Sequence, residues 1–133
     1  VYDMEASLNF DGETSPYMQY TYARCCSIIE KSNAKLDLSK VDYKGINDAS
    51  GYNLIKLINK FPQTVVDAYE KVEPCFIVRL LMDMASEFNK FYTNNRIIDN
   101  GVVNMNNLAI VYATKIVFEN GFKLVNIPAI TKM

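Results

Sequence analysis

The sequence predicts an all-α fold, a bundle of four to five helices. Three observations point there. Apolar residues recur at helical spacing over long stretches, the few prolines and glycines fall where helices start and stop, and no alternating strand pattern of useful length occurs. The 133 residues are the usual size of one domain, and half of them are apolar, enough for a core without disulfides or metal.

Thr14 or Ser15 can cap a first helix with Pro16 in its first turn, running to about Asn33. Residues 34–50, "AKLDLSKVDYKGINDAS", lack a sustained period and read as a connecting loop. Ser50 can cap a short helix over "GYNLIKLINK" with Leu54, Leu57 and Ile58 inward. Phe61-Pro62 is expected to break it and start another, with Val65, Val66 and Tyr69 inward and Val72 near its end. Pro74 opens what reads as the longest helix, to about Asn95, where Ile77, Leu81, Met84, Phe88 and Phe91 form one stripe at +4, +7, +11 and +14. After "DNG" a last helix is expected from about Val103 to Asn120. It is apolar on most sides and so central, with Gly121 at its C′ position and a short tail beyond.

Several function classes are excluded or disfavoured by composition. The chain has no histidine, which removes the commonest general base, the commonest metal ligand and every Ser-His-Asp or Cys-His arrangement. Its acids are scattered, and neither a Walker loop nor a dinucleotide-binding glycine pattern is present. Nothing here calls for a catalyst. Cys25, Cys26 and Cys75 are odd in number and lack metal-site spacing, which fits buried thiols in a reducing cytosol. No apolar run approaches the ~20 residues that span a bilayer, so no membrane role is expected. A net charge of −1 argues against a broad basic surface for nucleic acid; any such binding needs a local patch plus stacking. The opening on Val1 suggests a cut or processed chain with a further domain upstream.

Two stripes depart from a pure core pattern. On the first helix Met18, Tyr22, Cys25 and Ile29 fall within ~60° of arc and point inward. Tyr17, Tyr20, Arg24 and Lys31 form a second stripe, also ~60° wide, well apart from the first. On the later helix Ala85, Asn89, Tyr92 and Arg96 lie on one stripe beside the core face. If the two faces adjoin, they make a small aromatic, cationic, amide-bearing surface. Rings stack on unstacked bases, guanidinium binds phosphate, and amides read base edges. Spacing alone leaves a plainer reading open, in which the tyrosines roof the bundle with their hydroxyls in water.

The stretch "FDGETSPYMQYTYARCCSI" resembles the start of the DALR-type anticodon-binding domain of arginyl-tRNA synthetases, and "KFPQTVVDAYEKVEP", "MASEFNKFY", "NNLAIVYATKIVFENGFKLVNI" and the final "KM" extend the likeness in order over almost the whole chain. The resemblance implies an anticodon-binding helical bundle over residues 1–133 that docks the anticodon stem-loop of arginine tRNA. It also implies its own class I catalytic domain outside this chain, which uses ATP with Mg to attach arginine. No cofactor or metal is implied in this segment, and the enzyme is expected to be a cytoplasmic monomer. By resemblance, anticodon contacts fall to Tyr17, Tyr20 and Arg24, to Tyr92 of the F-N-x-F-Y segment, and to Met133, packed by the loop. Asn89 joins them as a hydrogen-bonding residue and Arg96 stands where the family often has an aromatic. The chain departs from the family at Ser15 for glycine, at Tyr22 for histidine, and at Asn107 for an arginine that offers a phosphate contact. The alternatives are a helical protein-interaction module and the equivalent domain of another class I synthetase, such as the cysteinyl one.

Overall fold

The computed structural model describes residues 4–46 and 48–133, with residues 4–14 and Tyr43 described by backbone alone. These residues form four α-helices: α1 (Met4–Ser32), α2 (Ala49–Lys71), α3 (Cys75–Asn94) and α4 (Met105–Val125). The bundle is all-α, as expected. Helices α3 and α4 share the centre, each touching the other three helices. No helix among the described residues is long and apolar enough to cross a membrane.

Pro74 opens α3 as the sequence suggested, but Pro16 and Pro62 do not punctuate. Helix α1 is already under way at Met4, so Thr14 and Ser15 are not its cap and Pro16 lies inside it. Helix α2 likewise runs unbroken through Pro62. An interior proline loses one hydrogen bond and strains the preceding turn, at a cost of about 3 kcal/mol. Burial of the apolar faces of α1 beyond Pro16 and of α2 on both sides of Pro62 absorbs that cost. In α2 the apolar face of Leu54, Leu57, Ile58, Phe61, Val65 and Ala68 continues in phase across Pro62 onto the core. That phase turns Val66 and Tyr69 outward, against the expectation that a new helix would bury them. The helix ends in a Schellman motif. Val72 takes the left-handed conformation at φ 54°, and the Glu73 N–H reaches the Ala68 carbonyl at 2.9 Å.

The cap of α2 is Asp48 rather than Ser50. Its carboxylate accepts from the Gly51 N–H at 3.1 Å and from the Ser50 hydroxyl in the first turn. The connecting loop expected over residues 34–50 ends earlier, since α2 begins at Ala49, and it carries two 3₁₀ turns at Leu38–Lys40 and Tyr43–Gly45. Asn106 of α4 pins it by accepting the Asp42 N–H at 2.7 Å.

The expected stripe on α3 is wholly buried: Ile77, Leu81, Met84, Phe88 and Phe91. At 20 residues α3 is shorter than α1 and α2, not the longest helix. Beyond it "DNG" makes a small hairpin, β1 (Ile98–Asp99) pairing antiparallel with β2 (Val102–Val103). Asn100 and Gly101 both have positive φ, the requirement of a two-residue type I′ turn.

Helix α4 starts at the Asn104 cap and runs past Gly121 to Val125; the left-handed C′ residue is Asn126, at φ 58°. Gly121 is buried inside the helix because α3 crosses there. A Cβ on it would sit 2.8 Å from Leu81 Cδ2 and 2.9 Å from Cδ1. Gly121→Ala therefore lowers stability by a net of about 1–2 kcal/mol, overpacking outweighing the gain in helix propensity. Thermal or urea unfolding checks this, and a stabilised variant would mean that Leu81 has room to move.

Candidate nucleic-acid interface

Helices α1 and α3 bring the two tyrosine stripes together. Arg24 stands between them, its guanidinium carbon 5.1 Å from the Tyr20 ring centre and 4.9 Å from that of Tyr92. Such cation–π contacts contribute about 0.5–2 kcal/mol each, more as water is excluded. Arg24 Nη1 donates to Asn89 Oδ1 at 2.8 Å and Nη2 to the Tyr20 hydroxyl at 3.4 Å. Asn89 Nδ2 in turn donates to the Tyr17 hydroxyl at 2.7 Å. Five residues from two helices are thereby one connected cluster. Tyr92 leans on buried Phe88, their rings 19° from parallel and 6.4 Å apart, so the core sets its tilt.

The rings are neither core nor free surface: Tyr17 is 37% exposed, Tyr20 49% and Tyr92 41%. Tyr22 behaves oppositely. It is buried against Phe122 and donates to Glu119 Oε1 at 2.8 Å. Burial first, and the bond to Glu119 second, push its hydroxyl far above the ordinary tyrosine range. Burial also works against charge on Glu119, but bonds from Lys115 and Tyr22 and the Lys115 charge outweigh it and hold the carboxyl below its usual value. The position where the family carries histidine is therefore structural here.

In front of the cluster opens a cleft of 1060 Å³. Tyr20, Arg24, Tyr92, Arg96 and Met133 line it together, with Lys31 on the same wall. Tyr17 and Asn89 lie beside the cleft rather than in its lining. Ala85, placed on the same stripe by spacing, is fully buried beneath it. Among the lining side chains Arg24, Lys31, Arg96 and Lys132 outnumber the acidic Glu30, a basic patch on a chain of net charge −1. Arg96 is paired with Asp99 only at 3.5 Å and in solvent, a contact weak enough to exchange for another anion.

Two parts of the lining were not singled out from the sequence. One is the turn segment on either side of Arg96, Thr93–Asn95 and Ile97–Ile98, and the other is Thr131 in the tail just before Lys132 and Met133. The turn is held from behind: Asn95 donates to Asp48 at 3.1 Å and Asn107 to the Arg96 carbonyl at 3.2 Å. Asn107, where the family often has arginine, thus serves the cleft through the backbone. The tail is held by Gln19, which donates to the Pro128 carbonyl at 3.1 Å. The polar run Thr93–Arg96 after an amphipathic helix was the available signal for the turn; for the tail the signal was the final Lys132-Met133 of the resemblance, and helical spacing gave none.

The family model of the DALR anticodon binding domain matches residues 18–133. The chain belongs to this family. The DALR domain is 39% identical over 132 residues to arginine–tRNA ligase 1 of Bacillus cereus, covering 99% of this chain and 23% of that protein. It is 40% identical over 134 residues to the arginine–tRNA ligase of Halothermothrix orenii, covering all of this chain and 24% of that protein. Its fold is similar to part of the Thermus thermophilus arginyl-tRNA synthetase, with a TM-score of 0.71 and 28% identity over 93% of this chain and 22% of the other. The DALR domain thus spans about a quarter of the length of the ligases it matches.

Proposed function

We propose that residues 1–133 act as the anticodon-binding domain of an arginine–tRNA ligase and dock the anticodon stem-loop of arginine tRNA. In this reading the class I catalytic domain lies elsewhere in the longer protein and uses ATP with Mg to attach arginine. The observation that carries it is the placing of Arg24 between Tyr20 and Tyr92 at the mouth of a basic cleft. Unstacked loop bases need ring faces, and their phosphates need cations close by. Tyr20, the most exposed ring of the three, stacks a base; Tyr92 and Tyr17 wedge against its neighbours. Arg24 holds a phosphate or base edge. Lys31, Arg96 and Lys132 neutralise the backbone, and Met133, 64% exposed, packs against the loop. The arginine ligases among the relatives favour arginine tRNA over the tRNA of a cysteinyl-type enzyme. The enzyme works as a monomer in the cytoplasm, whose reducing milieu suits the free thiols of Cys25, Cys26 and Cys75.

The test is a titration of the full-length enzyme with arginine and non-arginine tRNA at two salt concentrations. Preference for arginine tRNA, weakening with salt, is expected. Equal affinity for both would return the aromatic face to a protein-docking role. Tyr20→Ala loses about 1–3 kcal/mol of binding, the worth of one stacked base; a folded variant with unchanged affinity removes that residue from the interface.

A further inference from the structure

The side-chain amide of Asn89 is oriented by two neighbours that leave it one choice. A guanidinium only donates, so the Asn89 atom facing Arg24 Nη1 at 2.8 Å is the oxygen. On the other side Thr21 Oγ1, fully buried, spends its own proton on the Tyr17 carbonyl at 3.0 Å. Toward Asn89 it can therefore only accept, and it meets Nδ2 at 3.4 Å. Both constraints put the same nitrogen 2.7 Å from the Tyr17 hydroxyl oxygen. That oxygen is thus an acceptor toward the protein, and the phenol keeps its proton. Among the described residues no acceptor takes that proton, and Tyr17 is half-exposed.

We infer that Asn89 is a positioning residue that sets the hydrogen-bond polarity of the RNA face, turning Tyr17 into an outward donor. Arg24 spends one N–H on Asn89 and one on Tyr20, and its other N–H groups remain. This end of the face therefore offers the Tyr17 proton and the spare Arg24 N–H groups as outward donors. It favours acceptor atoms of RNA, phosphate oxygens or base carbonyl and ring-nitrogen atoms, over amino groups. The inference rests on the anticodon reading.

The test is a double-mutant cycle on the full-length enzyme, read as arginine tRNA affinity. Tyr17→Phe removes one exposed oxygen and weakens binding about tenfold, the scale of one hydrogen bond to a charged or strong acceptor. In an Asn89→Asp background the carboxylate still holds Arg24 but takes the Tyr17 proton inward, so Tyr17→Phe then costs nothing more. The added negative charge lowers affinity in both arms equally and cancels from the comparison. A phosphate acceptor makes the Tyr17→Phe loss equal for arginine and non-arginine tRNA, whereas a base acceptor confines it to arginine tRNA. Equal losses from Tyr17→Phe with Asn89 and with Asp would overturn the inference. So does a harmless Tyr17→Phe in the parent enzyme, a result that stands even where Asn89→Asp does not fold. A parent enzyme without affinity for arginine tRNA removes the anticodon reading and this inference together; the other two results remove the inference alone.

Discussion

Phe88→Ala lowers the unfolding free energy by about 3–5 kcal/mol, the cost of removing a large buried ring and leaving a cavity. Phe88 has no exposed surface, packs against Phe91 with ring centres 6.3 Å apart, and backs Tyr92 at 6.4 Å. Domains of this size are stable by only about 5–15 kcal/mol, so the loss is a large fraction of the whole. Urea unfolding should show a lower midpoint at nearly constant slope. Phe88→Leu leaves a smaller cavity and costs less. RNA affinity should fall with Phe88→Ala even where the protein stays folded, because Tyr92 loses the surface that sets its tilt. A loss below about 1 kcal/mol would mean that the neighbouring side chains collapse into the space.

Arg24→Ala weakens arginine tRNA binding by about 1.5–3 kcal/mol, roughly ten- to 150-fold. The substitution removes a charged donor, and it also removes the spacer between the Tyr20 and Tyr92 rings and the partner of Asn89. If Arg24 meets a phosphate, the slope of log affinity against log salt falls by about 1. An unchanged slope assigns it to a base edge instead. Arg24→Lys keeps the charge, and so the slope, without restoring full affinity. An ammonium group lacks the flat fork that lies between two rings while reaching an amide. Full affinity in Arg24→Lys would reduce the role of Arg24 to charge alone.

Much of the candidate face was legible in residue spacing. Tyr22 and Met18 were separable from Tyr17, Tyr20 and Arg24 because a helix repeats every 3.6 residues, and the structure buries the first pair while leaving the second group partly open. Asn89 and Tyr92 were found the same way. What spacing could not give is contact. It did not show that one guanidinium sits over two rings from different helices, or that Tyr17 stands beside the cleft and not in it. It also placed Ala85 with the site, where the structure buries it completely.

By itself the sequence determined which residues share a face: the α3 core stripe, the two faces of α1 and the apolar girth of α4. It did so because side-chain direction follows from local backbone geometry alone. Tertiary structure decided where helices pass through their breakers and which faces meet. Pro16 and Pro62 carry local penalties that only the burial of a long docked face outweighs. Gly121 reads as a stop until Leu81 of α3 is seen to occupy the space of its missing side chain. The site is of this second kind, since Arg24 gains its setting from α3 and its cleft from a tail held by Gln19, more than a hundred residues away in the chain.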